Sequence, residues 1–133
     1  MPVVLEIVED GFVLHYTISD PWEVPDLLKA YDDERAHRDS VSHVVHSIND
    51  LSTARRIPKN WWSARQGPGL THPRSGEMVF FGLAPGIKIL VDTILKATRY
   101  RRVKVFDNAD DAWAYVRSLV AKSKSERPAS MAK

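Results

Sequence analysis

Asp50, five histidines and a run of bases interleaved with two tryptophans are the residues of this 133-residue chain whose types could carry chemistry. Asp50 closes the β-rich stretch His43-Val44-Val45-His46-Ser47-Ile48-Asn49-Asp50, which puts it at the strand end where open α/β sheets hold their ligands. It is the best-placed single carboxylate for acid–base work, and its ordinary role would be to cap a loop. His43 and His46 are three apart on that stretch. An odd offset sends strand side chains to opposite faces, so the two cannot share a metal without a bulge. His15, His37 and His72 are scattered, and there is neither a cysteine nor an H-E-x-x-H pattern. No metal site and no cofactor are expected. There is no G-x-S-x-G and no informative Ser, His and Asp spacing for nucleophilic catalysis. Gly82-Leu83-Ala84-Pro85-Gly86 offers backbone N–H groups between a strand and a helix, but matches neither a Walker loop nor a dinucleotide fingerprint.

The basic middle is the stronger signal. Arg55, Arg56, Lys59, Arg65 and Arg74 occur with no acid between Leu51 and Gly76, and Trp61 and Trp62 lie among them. A second cluster holds Lys96, Arg99, Arg101, Arg102 and Lys104. Bases with aromatics suit phosphates or a membrane surface; they also suit a solvated face with one tryptophan packed inward. The formal net charge of +2 conceals the asymmetry: residues 1–50 hold eleven acids and three bases, whereas residues 51–106 hold two acids and eleven bases. A dipolar chain of this kind fits an electrostatically steered protein partner or a second copy of itself better than nucleic acid, whose binders carry a strong overall positive charge.

The elements that must position these residues follow from turn chemistry and periodicity. Val3–Glu9 and Phe12–Ile18 flank Asp10-Gly11, a hairpin signal because both turn residues need positive φ. Ile7 then opposes Leu14, Leu5 opposes Tyr16 and Val3 opposes Ile18, giving an apolar face. Val4, Val8 and Val13 lie on the other, mixed face, which is expected to be only partly covered and open to association. Val24, Leu27, Leu28 and Tyr31 space a first helix from Val24 to His37, with Pro25 at its start and Asp26, Asp32, Asp33 and Glu34 on its exposed side. The spacing predicts a strand over 43–50, a short helix over 57–66 begun by Pro58, a loop over 71–76 and an interior strand over 78–83. A helix carrying Ile87, Leu90, Val91, Ile94 and Leu95 comes next, then a strand over 102–106. Asn108 caps a last helix with Ala109, Ala112, Trp113, Val116 and Val120 as its buried stripe. Phe80, Ile87, Leu90, Ile94 and Val116 are the candidate core. One α/β domain over residues 1–122 results, in the order ββαβαβαβα, with a mixed five-stranded sheet and four helices, followed by a flexible tail over 123–133.

That element order resembles the STAS superfamily, in its SpoIIAA-like, anti-sigma-factor-antagonist-like branch, which borders on the lipid-binding Sec14-like fold. The carriers of the resemblance are the opening hairpin, the strand ending in Asp50-Leu51-Ser52, the strand from Met78 to Gly82, and the closing strand and helix from Asp110 to Leu119. In antagonist domains a serine at the start of the second helix is phosphorylated in an Asp-Ser-Ser-Gly-like turn. The resemblance therefore implies Ser52 or Thr53 as the acceptor within Asp50-Leu51-Ser52-Thr53-Ala54, although the paired serine and the glycine are missing. A phosphate there would be supported by a helix N-terminus; failing that, Ser52 caps a turn.

The resemblance implies a non-enzymatic, regulatory protein-interaction domain that binds a protein partner or forms a homodimer. Its recognition surface would be Asp50, Arg55, Arg56, Lys59, Trp61, Trp62 and Arg65. The alternative is a small-molecule or lipid carrier with an apolar pocket beside the Trp-bearing helix, and an enzyme using Asp50 ranks last. The longest apolar run falls far short of the ~20 residues that span a bilayer, and four acids occupy the first 20 residues, so neither a membrane span nor a secretory signal is expected. With no cysteine, the expected setting is cytoplasmic.

Overall fold

The structure is a computed structural model that describes the backbone of residues 2–131 and the side chains of residues 2–125. It begins with the hairpin β1 (Val3–Val8) and β2 (Val13–Ser19). The turn is longer than the two residues expected: Glu9 (φ 51°), Asp10 (φ 58°) and Gly11 (φ 86°) all have positive φ in a 3₁₀ turn, the N–H of Phe12 donates to the Glu9 carbonyl at 3.1 Å, and Glu9 and Phe12 fall outside the strands. The register is the expected one, with Val3 opposite Ile18, Leu5 opposite Tyr16 and Ile7 opposite Leu14.

After α1 (Val24–Ser40) come β3 (Val45–Thr53), a 3₁₀ helix (Trp61–Gln66), the four-residue α2 (Pro68–Thr71), β4 (Ser75–Phe81), α3 (Pro85–Thr98), β5 (Val103–Phe106) and α4 (Ala109–Met131). The sheet runs in the order β1-β2-β3-β4-β5, with β1 antiparallel and the other strands parallel, which is the mixed α/β architecture expected. Each parallel crossover steps one strand in the same direction. Right-handed crossovers therefore stack α1, the 3₁₀ helix with α2, and α3 on one face. Only α4, after the last strand, covers the other. Two cores result: Tyr16, Ile18, Leu27, Phe80, Ile87 and Ile94 on the three-crossover side, and Val13, Ile48, Val79, Phe81, Ala112 and Val116 beneath α4. The five candidate core residues are all buried.

Several boundaries differ from the sequence reading. The helix predicted over 57–66 from Pro58 is only a 3₁₀ helix from Trp61 to Gln66, with residues 57–60 outside any helix; and Gly67-Pro68-Gly69, which looks like a stop, instead starts the unpredicted α2 with Pro68 in its first turn. β3 begins at Val45 and runs on to Thr53, and β4 begins at Ser75, inside the predicted loop, and ends at Phe81. Gly82 (φ 75°) follows, and a Cβ there would lie 2.7 Å from Ser52 Cα, so the ends of β3 and β4 meet only because this residue is glycine. Val13 is not open to association but fully buried under α4; of the three valines on that face, only Val4 is well exposed. Asn108 caps α4 by accepting the Asp111 N–H at 2.9 Å, but Ala109 is exposed. The helix passes Lys122 without a break to Met131, so the expected tail is helical through that residue, and the last two positions lie outside the described residues.

The largest departure is in α1. Glu34, expected on the solvent side, is 3% exposed, and Arg38 is fully buried. Both extend the Leu27 and Ala30 stripe at i+7 and i+11. Arg38 Nε donates to Glu34 Oε2 at 2.8 Å, and its Nη1 donates to the carbonyls of Val45 (2.6 Å) and Arg74 (3.2 Å). Tyr16 Oη donates to Glu34 Oε1 at 2.6 Å. Burial and the neighbouring carboxylate hold the Tyr16 phenol far above its ordinary pKa, so it stays a donor. An ion pair taken out of water is costly when either partner is lost. Arg38→Met alone should therefore cost about 3–5 kcal/mol. The triple variant Tyr16→Phe/Glu34→Leu/Arg38→Met should recover most of that loss. Urea unfolding measures both, and a triple variant as unstable as the single one would contradict this reading.

Candidate functional site

A cavity of about 100 Å³ lies between the sheet and the three-crossover layer. One water takes about 10–15 Å³ counted the same way, so the space exceeds that of a trapped solvent molecule or two. Its origin is geometric. The layer needs three crossover elements side by side, and the middle one is a 3₁₀ helix and a single α-turn instead of a full helix. Ala64, Gly67 and Gly69 are the small residues that this middle crossover turns toward the gap. The sheet contributes Tyr16 and Ile18 from β2, Ser47, Asn49 and Leu51 from β3, and Met78 and Phe80 from β4. Leu27, Tyr31 and Glu34 of α1 and Leu90, Val91, Ile94 and Leu95 of α3 close the sides.

The wall is mostly apolar, and most of its polar atoms are already engaged. Glu34 is held by Tyr16 and Arg38 as described. Tyr31 Oη donates to the Ala64 carbonyl at 2.9 Å, tying α1 to the 3₁₀ helix. Its ring lies so close to Gly67 that a Cβ there would stand 2.8 Å away. Burial, and then the Glu34 carboxylate, raise the Tyr31 pKa well above the ordinary value. Trp22 Nε1 donates to the Arg56 carbonyl at 2.9 Å. Asn49 Nδ2 donates to the Val79 carbonyl (3.0 Å) and to Ser47 Oγ (3.3 Å).

The residues singled out in the sequence sit elsewhere. Asp50 Oδ1 accepts the Ser52 N–H at 3.0 Å and the Ser52 hydroxyl at 2.6 Å, which is the turn-capping arrangement. Ser52 and Thr53 are exposed at the end of β3, and the next helical turn begins only at Trp61. The expected helix N-terminus that would steady a phosphate on them is therefore absent from this place. The N–H groups of Arg55 and Arg56 donate to the Asp20 carboxylate at 2.9 and 3.1 Å, and the Arg56 guanidinium pairs with Glu23. Lys59 is exposed. Trp61 packs partly against the core, Trp62 is 39% exposed with its ring edge-to-face on Trp61, and Arg65 lies over the Trp62 ring at 5.0 Å. Neither tryptophan lines the cavity. The 3₁₀ helix that carries them reaches it through Ala64. Glu23 with Arg56 joins the acidic stretch to the basic one, while Asp39 meets His72 (2.7 Å) and Asp10 meets Lys124 of α4 (2.5 Å).

Sequence reasoning missed Tyr16, Glu34, Ser47 and Asn49 as cavity residues. The signal for Glu34 was its place on the stripe of α1. For Ser47 and Asn49 it was their alternation with the apolar Ile48 on an interior strand.

No protein-family model and no curated protein matches the chain. Among the described residues, no group of His, Asp and Glu could hold a metal ion, and no helix is long and apolar enough to cross a membrane.

The histidines do not converge. His43 precedes β3 and stacks on Phe12 at 4.0 Å between ring centroids. His46 is buried, and its Nδ1 accepts the Glu77 N–H at 3.0 Å. The Glu77 carboxylate in turn accepts the Tyr115 hydroxyl, whose pKa is pushed up to about 12 by burial and by that carboxylate. His46 Nε2 has no partner among the described residues. Burial lowers the His46 pKa, and Arg38, Arg102 and His43 act in the same direction against Glu77. A lowered folded-state value has a definite sign. Below about pH 6.5 the unfolded chain takes up a proton that the folded chain refuses, so stability falls with pH through that range. His46→Asn keeps an acceptor for the Glu77 N–H and removes the titration. Its denaturation midpoint should fall less than that of the natural protein between pH 7.5 and 5, and an equal fall would contradict the assignment.

Proposed function

We propose that this domain binds a small apolar molecule in the cavity between the sheet and the α1–α3 layer, and acts by carrying or sensing it rather than by transforming it. The observation that carries this reading is an apolar space whose neighbouring polar groups are almost all engaged by the protein itself. Such a wall gains free energy from an apolar occupant at roughly 25 cal/mol per Å² removed from water, with little polar desolvation to offset it. This is the carrier alternative of the sequence reading, and it is compatible with the resemblance to a fold bordering on lipid binders. A cytoplasmic setting belongs to the same proposal.

A second reading keeps the STAS-like expectation of a regulatory protein or homodimer contact. The exposed Ile57 and Trp62, beside Lys59 and Arg65, favour it. It ranks second because internal pairing with Asp20 and Glu23 already engages part of the basic loop.

Toluene serves as a test ligand. At tenfold over its Kd it should add about 1.4 kcal/mol of stability, roughly a 3–6 °C rise in Tm. Ala64→Phe, which places a ring in the cavity, should abolish that rise while the variant stays folded. A toluene effect of the same size in both proteins, or none in the natural protein, would refute the proposal.

A further inference from the structure

The ligand's head group can be argued from the polar atoms the cavity leaves unspent, on the premise that the cavity is the binding site proposed above. Among the described lining residues Glu34 is the sole charged one, and both its oxygens are occupied, by Tyr16 and Arg38. Its cation, Arg38, stands behind it and does not line the space. An anionic head would thus meet a carboxylate wall with no facing cation, and a cationic head would meet a carboxylate already neutralised. Either ion would lose its hydration without a new partner.

Among the described lining side chains only Ser47 has an unspent donor, and Asn49 beside it has a wholly unused acceptor. Ser47 Oγ accepts from Asn49 Nδ2, while its own proton has no acceptor among the described residues. Asn49 spends its Nδ2 on Ser47 and the Val79 carbonyl, while its Oδ1 accepts from no described residue. Both residues are buried, both line the cavity, and they are two apart on β3, so they point to the same face of the sheet. One donor and one acceptor side by side match a group that itself both accepts and donates. We infer that the site takes an uncharged molecule with an apolar body and a hydroxyl or carboxamide head, seated on Ser47 and Asn49 with the body running toward Leu90 and Ile94.

Calorimetric titration at pH 7.5 with 1-octanol, octanoate and octylamine separates head-group charge at constant chain length. Octanol should bind at least tenfold more tightly than either ion. Ser47→Ala, checked for an intact thermal transition, should weaken octanol about fivefold, the loss of one hydrogen bond. Octanoate or octylamine binding as tightly as octanol would overturn this inference while leaving an apolar cavity site standing. Octanol preferred to the same degree in the Ser47→Ala protein would overturn the seat on β3. Failure of all three to bind the folded protein would overturn the cavity site itself.

Discussion

Arg38 reaches from the last turn of α1 into a space with no solvent, and there it holds three separate parts of the chain. Its Nε binds the carboxylate of Glu34, and its Nη1 binds the carbonyls of Val45 at the start of β3 and Arg74 just before β4. Arg74 returns a bond from its own guanidinium to the Arg38 carbonyl at 3.3 Å. Tyr16 brings β2 into the same network through the other oxygen of Glu34. One ion pair thus fixes the angle of α1 against β2, β3 and the segment that enters β4. A planar guanidinium with five donors can do this where a lysine could not. Arg38 Nη2 is buried with no partner among the described residues, so the cost of burying both charges is offset only in part, and only while every member is in place.

The cavity depends on that anchoring. With α1 fixed by Arg38 and Glu34, and α3 seated through Ile87, Leu90, Val91 and Ile94, the two full helices of the layer are set apart by the width of the sheet between them. The segment from Ala54 to Arg74 must cross from β3 to β4 through the remaining gap. It does so with a 3₁₀ helix and one α-turn, held down by Tyr31 on Ala64 and by the Ser75 hydroxyl on the Gly69 carbonyl. These pieces are too short to fill the space a third helix would fill, and beside Leu70 they turn only Ala64, Gly67 and Gly69 toward it. The void and the ion pair are therefore neighbours for a reason: Glu34 forms part of the wall and is kept neutral in effect by the residue one helical turn behind it.

Much of the frame was legible in the sequence. Asp10-Gly11 fixed the hairpin register, and the 87, 90, 91, 94 spacing located α3, because turn chemistry and strong amphipathic periodicity are local properties. Phe80 and Val79 read correctly as an interior strand because both faces are apolar. Asp50 proved to make the capping contacts of its ordinary reading. The site was harder to see. Glu34 and Arg38 were obscured because charge ordinarily marks the solvent face, although their spacing continued the buried stripe. The cavity was invisible for a different reason: it arises from the length of one crossover relative to its two neighbours, and Gly67-Pro68-Gly69 reads as a breaker whether or not a helical turn follows. Which polar atoms remain unspent on β3 is a property of packing between Ser47, Asn49 and Val79, and no local pattern encodes it.

The central claim is that an apolar molecule enters the layer between the sheet and α1–α3 and not the layer under α4. Methyl-detected NMR during a titration with 1-octanol tests it directly, since the two cores carry separate sets of methyl groups. Shifts are expected on the methyls that line the cavity, Ile18, Leu27, Leu51, Leu90, Val91 and Ile94 foremost, with Val13, Ile48, Val79 and Val116 unmoved. Shifts centred on the second set, or spread evenly over both, would contradict it.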